Sequence, residues 1–186
     1  MDKTYQTQLH RIFLIEGLPE PLSRSGRHLQ IFDNYIEDTR IRLRSIRDPP
    51  ANTWTRSIQQ IIYPDADRLS PRKFAEIHLN DAEFAQFSIF EGSLIRKNRY
   101  FHEFDGQLFS FDVFLGDLWG LNIAKTELRT LTEFREFLPP PFAVLELTES
   151  PFFSGMSLAQ KSIEDVRAEL GKSSAAPAAF CGNAER

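Results

Sequence analysis

The chain has 186 residues, 41% of them hydrophobic, enough for one domain with a hydrophobic core. Its formal net charge of −4 argues against a broad surface for duplex nucleic acid but leaves a local basic pocket open. One cysteine, no apolar leader segment and no apolar run long enough for a membrane span together predict a cytoplasmic protein that binds no membrane.

Alternation of apolar and polar residues predicts β-strands along most of the chain. Within residues 94–114, the pair Asp105-Gly106 marks a two-residue hairpin turn between two of them. The other strands are predicted at Tyr5–Ile15, His28–Ile36, Thr39–Ile46, Thr53–Tyr63, Lys73–Leu79, Asn122–Leu128 and Phe142–Thr148.

Three segments carry helix signals, which are a capping residue followed by helical spacing of apolar residues. We predict that they are short helices packed outside a sheet. The first is capped by Asn80 with Glu83, the second by Thr130 with Glu133 and ends at Phe137, and the third is capped by Ser157 and ended by Gly171.

Many closely spaced strands with few helices predict an α+β fold. We expect a closed or nearly closed antiparallel β-barrel of about eight strands, with helices outside. Residues 1–171 would form this single domain, and residues 172–186 are predicted to be a disordered tail because small residues dominate them.

Charged residues recur on one face of several strands, because side chains two positions apart share a face. Pairing Phe104 with Gln107 across the hairpin turn sets Arg99 opposite Asp112, with Lys97 on the same face. A single charged face is usually solvated. Four or five such faces predict a barrel lumen lined by charge. The other faces carry Arg40, Arg42 and Arg44; Glu76 and His78; Lys125 and Glu127; and Glu146 with Thr148.

Four segments in this order resemble the CYTH superfamily, the triphosphate tunnel fold of class IV adenylyl cyclases, thiamine triphosphatases and inorganic triphosphatases. They are IRLRS, IRKNRY, DGQLFSFDVFLGDLWGL and FLPPPFAVLELTES, and the resemblance covers residues 8–158. It implies that basic residues cradle a triphosphate, here Arg42, Arg44, Lys97, Arg99 and Lys125. It also implies that carboxylates hold Mg or Mn, here Glu76, Asp112, Glu127 and Glu146.

The chain departs from the family pattern mainly at its carboxylates. The first strand of the family carries a Glu-x-Glu-x-Lys motif, and this chain has Gln8, His10 and Ile12 at those positions. Further replacements are Gln59 for a lysine, Phe74 and Lys125 for glutamates of two Glu-x-Glu pairs, and Ser110 for a glutamate before the hairpin aspartate. Fewer hard oxygen ligands and one added cation predict a weaker need for a metal.

Three hypotheses follow. The first is a protein that binds a triphosphate, polyphosphate or nucleotide phosphate group in a basic tunnel, with hydrolysis weak or lost and no catalytic residue assigned. The second is an active metal-dependent triphosphatase that uses the remaining carboxylates and His10. The third is a non-catalytic protein-interaction module on the same fold. The first predicts a phosphate-rich small anion as partner.

Overall fold

The computed structural model describes residues 5–175. Within this range, nine β-strands are β1 Gln6–Leu14, β2 Leu29–Ile36, β3 Ile41–Asp48, β4 Thr53–Ile62, β5 Arg72–Leu79, β6 Gly92–Phe104, β7 Gln107–Leu115, β8 Asn122–Leu128 and β9 Leu145–Glu146. The α-helices of the same range are α1 Asp81–Phe87, α2 Leu131–Glu136, α3 Gly155–Leu158 and α4 Ile163–Ala175.

Eight of these strands form a closed antiparallel barrel. The strand order is β5-β4-β3-β2-β6-β7-β8-β1, and β1 also pairs with β5, which closes the sheet. This closure uses three residue pairs, from Gln6 with Phe74 to Gln8 with Arg72, whereas β1 pairs with β8 over six. The predicted α+β barrel is confirmed.

The hairpin of β6 and β7 has the predicted register. Arg99 lies opposite Asp112 and Lys97 opposite Phe114. Asp105 and Gly106 both have positive φ, 51° and 72°, which a type I′ turn requires at its two central residues. The turn therefore sets which side chains of this hairpin share the lumen face.

The caps of the two short helices are also as predicted, since Asn80 with Glu83 and Thr130 with Glu133 both form capping boxes. The prediction for the last helix was wrong. Ser154 caps the short helix α3, and α4 begins after Ser162, whose hydroxyl accepts a hydrogen bond from the Asp165 amide. The longer helix therefore begins after Ser162, whereas the sequence pattern placed its cap at Ser157.

Helix α4 also continues past Gly171 to Ala175. A glycine costs a helix only about 1 kcal/mol and does not end it alone. The predicted tail at 172–186 is therefore helical as far as residue 175, and residues 176–186 lie outside the described part of the chain.

The predicted strand Phe142–Thr148 is a strand only at Leu145–Glu146, where it pairs with Phe13 and Leu14 of β1. The reason is geometric. Strand β8 takes one edge of β1, and β5 takes the start of the other edge, so β9 pairs only with the last residues of that second edge. This segment therefore lies beside the barrel and does not form a ninth barrel strand.

Apolar side chains form two clusters around the barrel. One closes an end of the lumen and joins residues of the barrel strands to Phe153, Leu158 and Val166. The other covers the outer face of β1, β6, β7 and β8, where Phe109, Phe111 and Val113 pack. None of the helices in residues 5–175 has the length and apolar character of a membrane span.

Candidate functional site

The barrel encloses a cavity of about 250 Å³ that is rich in basic side chains. All five cations predicted from the sequence line it, and a sixth, Arg72, joins them from the start of β5. The strands deliver these groups because alternate residues of each strand face the lumen. The six cations are Arg42, Arg44, Arg72, Lys97, Arg99 and Lys125.

Asp33 holds two arginines and a lysine on one side of this lumen. Arg44 donates two hydrogen bonds to its carboxylate, at 2.6 and 2.7 Å, while Arg42 and Lys97 lie 3.6 and 3.8 Å away. Asp33 is fully buried. Burial opposes its ionisation, but Arg44 and Arg42 outweigh burial and hold the Asp33 pKa below its usual range.

Asp112 does the same for the neighbouring hairpin. Arg99 donates two hydrogen bonds to it, at 2.6 and 2.7 Å, and the Lys97 ammonium lies 2.9 Å from it. Burial again opposes ionisation, and the charges of Arg99 and Lys97 nevertheless hold the Asp112 pKa well below its usual range. We call this side, formed by β2, β3, β6 and β7, the paired wall.

The opposite side, formed by β1, β5 and β8, differs because its cations have no carboxylate partner. Within the part of the chain that the structure describes, neither Arg72 nor Lys125 forms an ion pair. The Arg72 Nε donates to the Gln8 side-chain oxygen at 3.0 Å. We call this side, with Arg72, His10 and Lys125, the open wall.

His10 lies between these unpaired cations. Its Nε2 is 3.6 Å from a carboxylate oxygen of Glu127, and its Nδ1 is buried with no hydrogen-bond partner. Burial and then the charges of Arg72 and Lys125 lower the His10 pKa to about 2. The imidazole is therefore neutral at ordinary pH and leaves one ring nitrogen for a ligand or a water.

The excess of positive charge also acts on the lysines. Burial, together with the charge of Arg99, lowers the pKa of Lys97 to about 8 against the opposing effect of Asp112. Burial and the nearby Lys97 lower the pKa of Lys125 well below its ordinary value. Neighbouring cations thus lower the pKa of each buried lysine, because like charges repel. An anion bound among them would relieve this repulsion.

The four predicted metal ligands do not come together. Asp112 is enclosed by Arg99 and Lys97, and Glu76 accepts a hydrogen bond from Gln59. Glu127 lies exposed at the cavity edge. Among the described residues, no group of three or more His, Cys, Asp or Glu side chains could hold a metal ion. This donor set does not fit Mg or Mn, which need several free oxygen ligands.

Glu146 is the clearest departure from the sequence-based assignment. Its carboxylate pairs with Arg11, with an Nη2 to Oε2 distance of 2.7 Å. Arg11 alternates with the lumen-facing residues His10 and Ile12 of β1, so its side chain lies on the outer face. Because β9 lies beside the barrel, Glu146 points to this outer pair instead of the lumen.

Two site residues were missed by the sequence analysis, Arg72 and Asp33. Arg72 follows a proline in a polar segment, and the predicted strand began one residue later, at Lys73. Its spacing of two from Phe74 and of four from Glu76 was the available signal. Asp33 alternates with Ile31 and Tyr35 in β2, and a lone carboxylate on an otherwise apolar strand face indicates a buried ion pair.

The comparisons with known proteins point to one kind of protein. No protein-family model matches the chain. An inorganic triphosphatase of Nitrosomonas europaea is 33% identical over 90 residues, which cover 47% of this chain and 60% of that relative. The chain thus matches less than two thirds of the curated relative.

Solved structures agree on the architecture. A crystal structure of the inorganic triphosphatase NE1496 has a TM-score of 0.56 at 23% identity and covers 84% of this chain and 96% of its own. Another, described as the hypothetical protein NE1496, has a TM-score of 0.57 at 24% identity and covers 84% and 99%. At this identity, these likenesses establish the fold alone.

Proposed function

We propose that this chain, which belongs with the CYTH superfamily by its tunnel fold and its partial similarity to an inorganic triphosphatase, binds a triphosphate group in its basic lumen. The ligand class is a triphosphate, a polyphosphate or the phosphate tail of a nucleotide. The observation that supports this most is that Arg72 and Lys125 line the cavity without a carboxylate partner among the described residues. The other cations of the cavity are already oriented by Asp33 and Asp112.

The charge balance favours an anion that carries no metal. Six cations line the cavity, and the two carboxylates buried among them are both engaged in ion pairs. An ionised triphosphate oxygen accepts strong charge-assisted hydrogen bonds from guanidinium and ammonium groups. A magnesium ion brought with the phosphate would find no free carboxylate cluster among residues 5–175 and would add positive charge to a lumen that is already positive.

We further propose that hydrolysis is weak or lost. In phosphoryl transfer a metal neutralises charge and orients the attacking water, and the carboxylates that could hold one here are dispersed or already paired. The residues that remain can bind and orient phosphate oxygens. Among the described residues, no group of carboxylates is placed to hold a metal that would activate a water. Cytoplasmic location stays a prediction.

Calorimetric titration of the protein with inorganic triphosphate, in the presence of a chelator, tests the binding. We expect one site that needs no divalent metal and weakens as salt screens the charges. Arg72→Gln should lower the affinity at least about tenfold, because hydrogen bonds to charged groups contribute roughly 1.5–3 kcal/mol. The matched control is Arg56→Gln, an outer-face arginine paired with Asp81.

Absence of heat and of any thermal shift with triphosphate would refute the proposal and favour a protein-interaction module. The similarity to an inorganic triphosphatase favours active hydrolysis as the second candidate. Phosphate release from triphosphate, measured with Mg²⁺ and then Mn²⁺ on the same preparation, separates that candidate from binding alone. Lys125→Glu is its companion variant, because a carboxylate there would restore one predicted ligand.

A further inference from the structure

An exposed tryptophan lies on the outer face of the barrel, away from the lumen. Trp54 of β4 is 46% exposed, and Arg47 of β3 lies directly opposite it. The centroid of the Phe32 ring, on β2, is 5.8 Å from the centroid of the Trp54 ring. Phe32 and Arg47 alternate along their strands with the lumen-facing residues Asp33 and Arg44. The two rings therefore lie on the side of the sheet that faces solvent.

Arginines surround these two rings. The Arg47 and Arg56 guanidiniums lie over the Trp54 ring, 5.9 and 5.3 Å from its centroid. Arg56 also lies over a phenylalanine ring of α1, at 4.8 Å. On the other side, Arg96 of β6 is exposed and lies opposite Phe32. We call this surface the aromatic–arginine face, and it consists of Phe32, Arg47, Trp54, Arg56 and Arg96.

The positive charge of this face is not balanced by carboxylates. In residues 5–175, neither Arg47 nor Arg96 forms an ion pair. Arg56 pairs with Asp81 at 2.6 Å, and the side chain of that aspartate is 86% exposed. A guanidinium that lies over an aromatic ring keeps N–H groups available for an acceptor. The face is therefore locally basic, on a chain whose formal net charge is −4.

Exposed rings and unbalanced guanidiniums occur together on this face. A single strand of nucleic acid complements both, because its unpaired bases stack on aromatic rings while its phosphates bind arginine. A duplex stacks its bases within itself, and an acidic peptide supplies negative charge without base faces. From β6 to β4 the face spans three strand spacings, about 14 Å, which is several times the spacing of roughly 3.4 Å between successive phosphates of a stacked strand.

We propose that the aromatic–arginine face binds single-stranded nucleic acid. A base stacks on Trp54, and the neighbouring phosphates accept hydrogen bonds from Arg47 and Arg96. The inference goes beyond the proposed function, because this face and the lumen lie on opposite sides of the same strands. A protein that holds a triphosphate inside the barrel therefore still has this face free to bind a nucleic acid.

Fluorescence titration of the Trp119→Phe variant tests the stacking. The chain has two tryptophans, so the emission of this variant reports Trp54 alone. The probe is an oligouridine of about ten nucleotides without terminal phosphates. We expect quenching that weakens as salt rises and that an excess of inorganic triphosphate does not reverse. Reversal by triphosphate would place the oligonucleotide in the lumen and overturn the inference.

Variants of the face separate stacking from charge, with affinity measured by the anisotropy of a labelled oligouridine. Trp54→Leu should lower the affinity about tenfold, whereas Trp54→Phe keeps a ring and should retain most of it. Arg47→Gln should reduce the slope of log affinity against log salt by about 0.7. The matched control is Arg167→Gln, an exposed arginine of α4 that pairs with Glu164. All four variants should bind triphosphate as the parent does, which shows that they are folded.

Three further ligands of the same length and charge decide whether free bases matter. They are an abasic strand, a duplex and a polyglutamate peptide, and each should bind more weakly than oligouridine. Equal binding of any of them would overturn the inference, and so would undiminished binding by Trp54→Leu. Failure to bind oligouridine would overturn this inference alone, and failure to bind triphosphate would overturn the proposed function alone.

Discussion

The paired wall and the open wall carry the same kind of side chain in opposite circumstances. On the paired wall, Asp33 and Asp112 engage four of the six cations at distances from 2.6 to 3.8 Å. On the open wall, Arg72 and Lys125 have no carboxylate partner within the described residues. The charges of the paired wall are balanced without a ligand, and those of the open wall are not.

The difference separates positioning from binding. Two charges buried together offset part of their desolvation cost, so the paired wall holds its guanidinium groups in fixed orientations. For buried cations without a carboxylate partner, the desolvation cost is not offset until an anion binds. We therefore expect the paired wall to govern the free energy of unfolding and the open wall to govern affinity.

The largest effect should come from Asp112→Asn, which leaves Lys97 and Arg99 buried without their carboxylate. Removing one partner of a buried ion pair costs about 3–5 kcal/mol, and chemical denaturation should show a loss of that size in the free energy of unfolding. Asp81→Asn, which removes an exposed partner of Arg56, should cost less than about 1 kcal/mol. Equal losses in the two variants would contradict a structural role for the paired wall.

Lys125→Met should have the reverse profile. It removes an unpaired cation, so we expect triphosphate affinity to fall about tenfold, or about 1.4 kcal/mol, with no loss of unfolding free energy. Calorimetry and denaturation of the same variant check both halves. Lys73→Met, on the exposed face of β5, is the control. A variant that unfolds more easily yet binds as tightly as the parent would reverse the assignment of the open wall.

Raising the pH should move stability and affinity in opposite directions. Burial lowers the pKa of Lys97 in the folded protein to about 8, below its ordinary value of 10.5. Between these two pH values the unfolded chain binds more protons than the folded protein, so the free energy of unfolding should increase with pH. Affinity for triphosphate should fall over the same window because the free site loses charge. Denaturation and titration from about pH 7 to pH 10 test this, and a parallel rise of both would disprove it.

The smallest effect is expected from Glu146→Gln. This carboxylate pairs with Arg11 on the outer face, where ion pairs contribute roughly 0–1 kcal/mol. Triphosphate affinity should change less than twofold, and unfolding free energy by less than about 1 kcal/mol. A large drop in affinity would place Glu146 in the lumen, as the sequence alone suggested.

The sequence predicted the barrel and its hairpin register because both follow from local rules. Alternation fixes the faces of a strand, and Asp105-Gly106 fixes which residues of β6 and β7 oppose each other. The five basic residues followed from the same alternation. The position of Glu146 did not, since it depends on how β9 meets the edge of β1, a contact between residues more than 130 positions apart.

Partner identity was equally hidden from the sequence. That Asp33 binds Arg44 depends on the register of β2 against β3, and that Arg72 meets no carboxylate among the described residues depends on how β5 meets β1 when the barrel closes. Lowered lysine pKa values depend on that closure too. Spacing along a strand can therefore predict which residues face the lumen, but not which charges are already satisfied there.

The closure of the barrel by three residue pairs between β1 and β5 has a consequence for motion. This seam is the shortest of the barrel's strand junctions and carries Arg72, whose charge is repelled by Arg42 and Arg44. Local opening should be easiest there, so the amide hydrogens of Arg72, Lys73 and Phe74 should exchange with solvent faster than those in the centre of β6. A bound polyanion that contacts both β5 and β8 would hold the two strands together and slow that exchange.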